Sequence, residues 1–452
     1  MAGDGHRAPS LGDGAVLRFR GRLHGTTMTD DEHPTTPDAG PERDPAAGRT
    51  LPTPPPPSGP PAPPEPPSPW PSAVPELRVI DGTGPSEDEI VRPASARPRS
   101  KVRLFVWGAV LAVVLGVVIA SRIDLNYYAI QPGTAQSVQP FITVPPGKGH
   151  HVADPVLLTD VEEARVTALT YLIFKLQSDT ALYSVPSVTG GVSPAELDAQ
   201  GNLQMSQAET AAKVAALRHL GYAVPATPVG AVIAGTFPGS PADGVLNVGD
   251  VVTAVDGTPT DSAHALTTAL AAYKSGQSVT FTVRRNGTAP PGPVTLTLRR
   301  TIVELDGQHV LVTVGIEPQD EVHYTYPFPI AINVVNIGGP SAGLAMTLGV
   351  IDTLSGGQLT GGKKVAATGT MDASGNVGDV GGVAQKTVAV ENAGATIFLV
   401  PPQEYAAAKS KDHPGLKVYA VSTLDQALRV LAANGGHVPT GTLVAASSNA
   451  AG

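Results

Sequence analysis

Apolar and polar positions follow three rhythms along this chain. From Leu104 to Ala120 the run LFVWGAVLAVVLGVVIA carries no charge, and with Val102 and Ser121 it approaches the ~20 residues that cross a hydrocarbon core. Between residues 229 and 300 the pattern is that of short strands around one helix: Ala231–Ala234, Asp250–Val255, Ser278–Arg284 and Val294–Leu298, with a helical stretch from Ser262 to Tyr273. Asn202 to Tyr222 has the spacing of an amphipathic helix. Further on, Phe328 to Val335 predicts an apolar strand, Gly338-Gly-Pro a turn, and Ser341 to Leu354 a helix with Ser341 at or next to its N-cap.

The charge-free run predicts a transmembrane helix over 102–121. A signal peptide is the alternative, but one hundred residues precede the run and no small-residue cleavage pattern follows it. Arg97, Arg99, Lys101 and Arg103 crowd its N-terminal flank, whereas Arg122 on the other side is offset by Asp124. The positive-inside rule then places the N-terminus in the cytoplasm and everything after residue 121 outside it. Tyr127 and Tyr128 suit an interfacial belt, and would equally open a strand.

Composition changes the picture at the ends. Of the residues, 4% are aromatic and 15% charged, with 50 Gly and 45 Pro, so much of the chain is loop or linker. The prolines concentrate in residues 34–98, a composition that builds no packed core, and 1–101 is expected to be a disordered cytoplasmic tail. Met28, followed by Thr-Asp-Asp-Glu, offers an alternative start. Residues 437–452 read as a flexible C-terminal tail. The net charge of -9 gives no broad basic surface, which argues against nucleic acid as a partner. The absence of cysteine excludes disulfides, thiolate metal sites and a cysteine nucleophile.

Candidate chemistry centres on Gly338-Gly-Pro-Ser341-Ala-Gly and the later Gly381-Gly-Val-Ala-Gln-Lys386. A serine hydroxyl needs a neighbouring base, and a desolvated lysine can lose its proton near neutral pH. Ser341 alone has a structural reading, since serine at a helix start commonly caps a free N–H. The same helix N-terminus concentrates unpaired N–H groups where an oxyanion would form. Gly339-Pro-Ser-Ala-Gly343 also satisfies G-x-S-x-G, so an α/β-hydrolase with Asp372 or Asp379 and His413 or His437 is a rival. Only a short segment follows the serine, which leaves little sheet for that fold. Gly357 to Lys363 gives G-x-x-x-x-G-K, but Lys364 stands where a P-loop needs Ser or Thr, so no ATP site is expected. His150, His151 and Asp154 sit in a Gly-Pro loop and are expected to be solvated rather than metal-bound. No cofactor is expected.

Two stretches resemble known families. Gly239-Ser-Pro-Ala-Asp-Gly through Val-Gly-Asp-Val-Val-Thr-Ala-Val-Asp-Gly257 resembles the central part of PDZ domains attached to bacterial proteases. The resemblance implies that a peptide adds as a strand to the sheet edge, with Gly230, Ala231, Val232 and Ile233 as the receiving strand. The usual carboxylate-binding loop is not evident in Pro225 to Gly230. The stretch from Phe328 to Pro402, with Gly339, Pro340, Ser341 and Gly343, then Val365 to Thr370, Gly375 to Gly382, Lys386 and Asn392 to Pro401, resembles the Lon proteolytic domain.

That second resemblance implies an α/β (α+β) proteolytic domain, Ser341 as nucleophile, Lys386 as base, Thr368 bonded to the lysine amine, and homo-oligomers. Two positions depart from the family pattern: Gly338 replaces an acidic residue before the motif, and Thr370 replaces a glutamate. The expected layout is a 226–300 PDZ domain inserted between 122–225 and 301–436, the latter two forming one Lon-like fold. The implied protein is a membrane-anchored serine endopeptidase that needs no ATP and acts on unfolded or flexible protein segments outside the cytoplasm. An inactive membrane scaffold built on the PDZ domain is the alternative from another class.

Overall fold

The charge-free run forms helix α1 (Arg99–Ala120), in a computed structural model that describes residues 99–285, 290–305, 308–334 and 337–439. The tail expected over 1–101 thus lies almost wholly outside the described residues, as do residues 440–452 of the C-terminal tail. After α1 come β1 (Asp124–Ser137), β2 (Ile142–Thr143), β3 (Leu157–Thr167), α2 (Ala168–Leu176), β4 (Ala181–Ser184), α3 (Val185–Thr189) and α4 (Pro194–His219). The middle holds β5 (Ala226–Thr236), β6 (Val251–Val255), β7 (Thr258–Pro259), α5 (Ala263–Ala271), β8 (Ser278–Arg284), β9 (Gly292–Thr297), β10 (Thr301–Leu305), β11 (Gln308–Val312) and β12 (Ile316–Tyr324). The last third holds β13 (Ala331–Ile332), α6 (Gly343–Ser355), β14 (Val365–Ala367), β15 (Thr370–Met371), β16 (Val377–Gly378), α7 (Val383–Asn392), β17 (Ile397–Val400), α8 (Tyr405–Lys409), β18 (Lys417–Ala420) and α9 (Leu424–Ala433).

Strands from two distant stretches of sequence share the first sheet, in the order β18-β17-β14-β3-β1-β4. The join is parallel, Ala366 on β14 opposite Leu157 on β3. Period-two alternation divides its side chains between two cores. Leu158, Val365, Ala367, Ile397 and Leu399 pack with α4 and α6, while Leu157, Ala366, Phe398 and Val400 pack with α7 and α8. Helix α6 is buried from Gly343 to Leu354, which is why it is apolar on every side.

Helix α4 starts eight residues before the expected Asn202. Ser193 caps it by accepting from the Glu196 N–H, Pro194 sits in its first turn, and Arg218 and His219 lie in its last, all favourable to the helix ends. Its first turns are polar, so hydrophobic spacing alone does not mark them. The strand expected over Phe328 to Val335 shrinks to β13, paired with β2. Beyond it the backbone bonds elsewhere: Asn333 N–H donates to the Phe141 carbonyl at 3.0 Å and Val334 N–H to Glu209 Oε1 at 3.0 Å.

The second sheet runs β12-β5-β6-β8-β9 with β7 on β6, around its own core of Ile233, Val252, Leu266, Phe281 and neighbours. Its last strand lies beyond the expected boundary at 300. β12 reads Ile-Glu-Pro-Gln-Asp-Glu-Val-His-Tyr, and its residues are at most half-buried, so it lacks the alternation that marks a strand in sequence.

Candidate active site

Ser341 occupies the turn ahead of α6, whose N-cap is Ala342. Among the described residues its hydroxyl caps nothing, so the structural reading of this serine has no support in the geometry. The turn needs its glycines. Gly339 has φ +92, a left-handed value that side chains resist, and its N–H donates to the Gly201 carbonyl of α4 at 3.0 Å. A Cβ on Gly343 would stand 2.7 Å from the Met371 nitrogen, so glycine there lets α6 start hard against β15. Pro340 accepts from the Gly343 N–H at 3.0 Å, closing the turn.

The carbonyl of Ser341 is held by consecutive residues. Gly369 N–H donates to it at 2.9 Å and Thr368 Oγ1 at 3.2 Å, while Leu344 N–H returns to the Gly369 carbonyl at 3.1 Å. Thr368 Oγ1 also accepts from Lys386 Nζ at 3.2 Å. Lys386 stands one turn into α7, its N–H bonded to the Gly382 carbonyl, and only 2% of it is exposed. Ser341, Thr368 and Lys386 are therefore brought together from a turn, a strand end and a helix. Glu404, which sequence reading missed, adds charge nearby: burial pushes its carboxyl up, Asp379 adds to the rise and Lys386 opposes it. Its only sequence signal is its place just after the Pro401-Pro402 that ends β17.

The rival constellations are used otherwise. His413 Nδ1 lies 2.6 Å from Glu391 Oε2, His437 N–H donates to the Gln358 carbonyl, and the Asp372 carboxylate accepts from the N–H groups of Ser374 and Asn376. Among the described residues neither histidine is hydrogen-bonded to Ser341. Lys363 Nζ donates to the Asn434 carbonyl at 2.5 Å, tying the Gly-rich loop to the end of α9. No group of three His, Asp or Glu side chains suited to a metal occurs among the described residues.

The peptide-receiving strand is corrected. Gly230, Ala231 and Val232 on β5 pair with Glu321, Asp320 and Gln319 of β12 on one side, and Ala231 and Val232 with β6 on the other. Ile233 donates its N–H to the Asp250 carbonyl and pairs with Pro318. Both edges are filled, so no further strand can add there. The margin of the sheet is β12, whose Asp320 Oδ1 accepts from the Ala263 N–H at the start of α5.

This second unit is also docked on α4. Glu196 Oε1 accepts from Thr236 N–H at 3.2 Å and Thr236 Oγ1 at 2.9 Å, and Gln207 Nε2 donates to Gln319 Oε1 at 3.1 Å. Between these ties lies a cleft of about 490 Å³ lined by Leu203, Gln207, Thr210, Val232, Glu321 and Tyr324.

Comparison with known proteins draws the borders elsewhere, one match beginning inside α4 and the other inside β12. Residues 319–433 match the Lon protease (S16) C-terminal proteolytic domain, and residues 203–290 match the PDZ domain. Lon protease 2 of Bacillus subtilis (strain 168) is 32% identical over 126 residues, which is 28% of this chain and 21% of that protein. Lon protease of Chloroflexus aggregans is 29% identical over 119 residues, 26% of this chain and 14% of that protein. Lon protease 1 of Herpetosiphon aurantiacus is 33% identical over 92 residues, 20% of this chain and 11% of that protein. The chain thus spans 21% or less of the length of these relatives, and the shared part supports a serine peptidase. The chain carries a Lon-type C-terminal proteolytic domain together with a PDZ domain.

Proposed function

We propose that this chain is a membrane-anchored serine endopeptidase that cleaves unfolded or flexible protein segments outside the cytoplasm without ATP. The observation that carries the reading is the bond of Lys386 Nζ to Thr368 Oγ1, beside the backbone of Ser341. Burial disfavours an ammonium ion and favours the free amine. In the proposed cycle that amine takes the proton of Ser341 Oγ as the oxygen attacks the scissile carbonyl. The protonated lysine then gives this proton to the leaving amine. Water, deprotonated by the same lysine, hydrolyses the ester on Ser341 and restores both residues. N–H groups at the start of α6 are suited to hold the oxyanion. Thr368 is a positioning residue: it fixes the amine and steadies the serine turn.

Helix α1 supplies the anchor in this reading, being long and apolar enough to cross a bilayer. The PDZ unit supplies substrate recruitment or gating, through the margin at β12 rather than through Gly230 to Ile233. Homo-oligomer assembly is part of the proposal. The test is cleavage of an unfolded protein by the detergent-solubilised full chain without ATP. Activity lost in both Ser341→Ala and Lys386→Ala is the expected result; activity that requires ATP, or persists in either variant, overturns it.

A further inference from the structure

Helix α2 has a property that a soluble surface does not explain. Its sequence, Ala-Leu-Thr-Tyr-Leu-Ile-Phe-Lys-Leu, is apolar apart from Thr170 and Lys175, yet none of its residues is buried. Leu172, Ile173 and Leu176 are 64%, 47% and 89% exposed, and their i, i+3 and i+4 spacing sets them on one face. The helix is well made: Thr167 and Thr170 form a reciprocal capping box at its start. Large apolar side chains grouped in the open mark a contact surface.

Its place in the chain says which contact. Ala168 N–H, at the first residue of α2, donates to the Ile123 carbonyl at 2.9 Å. Ile123 is itself half exposed and stands three residues past Ala120, where α1 ends. Three residues reach at most ~10 Å, and the interfacial layer of one leaflet is ~5–7 Å deep. A bilayer that takes α1 must therefore lie against this end of the domain. Tyr127 and Tyr171 meet nearby in a tilted pair, their ring centroids 5.6 Å apart, and Lys175 Nζ lies 5.7 Å from the Tyr171 centroid. Apolar residues flanked by tyrosines and a lysine compose an interfacial helix.

We infer that α2 is a second membrane contact, its Leu172, Ile173 and Leu176 face seated in the headgroup region of the lipid leaflet next to the end of α1. This rests on the proposed anchoring by α1. Such a contact holds the proteolytic unit against the bilayer surface and restricts its swing about residues 121–123.

The chain has no cysteine, so single cysteines can report position without background. The full chain is reconstituted in lipid nanodiscs as Leu176→Cys, Leu115→Cys and Val245→Cys, each labelled with an environment-sensitive dye and read against nitroxide lipids of two depths. The expected result is a blue-shifted dye at 176 quenched most by the nitroxide near the headgroup, a dye at 115 quenched most by the deep nitroxide, and an unquenched dye at 245. A water-like dye at 176 beside a quenched one at 115 overturns the contact and leaves the anchor standing. A blue-shifted dye at 176 that no lipid quenches means a second copy covers the face, which also overturns it. An unquenched dye at 115 removes the anchor and the contact together.

Discussion

Lys386 Nζ donates to Thr368 Oγ1 at 3.2 Å, and that hydroxyl in turn lies 3.2 Å from the carbonyl oxygen of Ser341. One threonine thus ties the proposed base to the backbone of the proposed nucleophile. Thr368→Val keeps the shape and deletes the hydroxyl, removing one partner from the buried Lys386 amine and one from the partly buried Ser341 carbonyl, at about 1–3 kcal/mol. The expected outcome is a fall in kcat of roughly 10–100-fold with KM little changed, and recovery in Thr368→Ser. Steady-state kinetics on a peptide substrate provide the check. A KM effect alone would show that Thr368 serves substrate binding instead.

Gly343→Ala tests the packing of the serine turn. Its Cβ would press on the Met371 nitrogen at 2.7 Å, and the nearest obstacle is backbone rather than a movable side chain. Overpacking of this kind costs about 1–3 kcal/mol. The melting temperature should fall, and activity should fall further than stability alone accounts for, because Ser341 is two residues away.

Glu163 gives a pH signature. Both of its carboxylate oxygens are buried with no hydrogen-bond partner among the described residues, and desolvation pushes its pKa from 4.5 up to about 9. The native state therefore holds a proton that the unfolded chain releases above the ordinary carboxylate pKa. The stabilising contribution is complete below about pH 4.5 and is lost as pH rises toward 9. Glu163→Gln, neutral throughout, should leave stability near pH 4 almost unchanged and raise it at pH 8 by on the order of 4–5 kcal/mol. Thermal melts of both proteins across this range decide it; equal shifts at both pH values would contradict the buried neutral acid.

The pairing of β14 with β3 makes a prediction about fragments. Residues 325–439 alone lack β1, β3 and α4, so Leu158 and Leu217 are missing from the core that holds Leu344 and Leu399. That fragment should not fold by itself, and should gain structure on adding residues 122–225. Circular dichroism and amide exchange of the separate pieces would reveal an independently folded serine fragment if one exists.

Much of this architecture is written in local pattern. The span of α1 and helix α6 are legible as apolar runs, the strands around Val252 and Phe281 by their alternation, and the turn at Gly338-Gly-Pro340 by its own signal. Other parts depend on tertiary partners. β12 carries few apolar residues and no alternation, as its place at a sheet margin allows, so its role emerges only from pairing with β5, and with it the filling of both edges at Gly230 to Val232. Val334 is apolar in sequence but spends its N–H on Glu209 rather than on a strand. Glu163 looks like any strand carboxylate until the sheet and its neighbours close over its oxygens. Glu404 enters the lysine environment only through the turn after β17.

The most direct test of the proposed dyad is to trap its ester. The full chain is mixed with a peptide thioester, quenched within one turnover and mapped by mass spectrometry. The expected result is an acyl group on Ser341 in the parent, none in Ser341→Ala, and acylation slowed by about two orders of magnitude or more in Lys386→Met. Acylation of Ser341 at an undiminished rate without Lys386, or an acyl group on another residue, would contradict it.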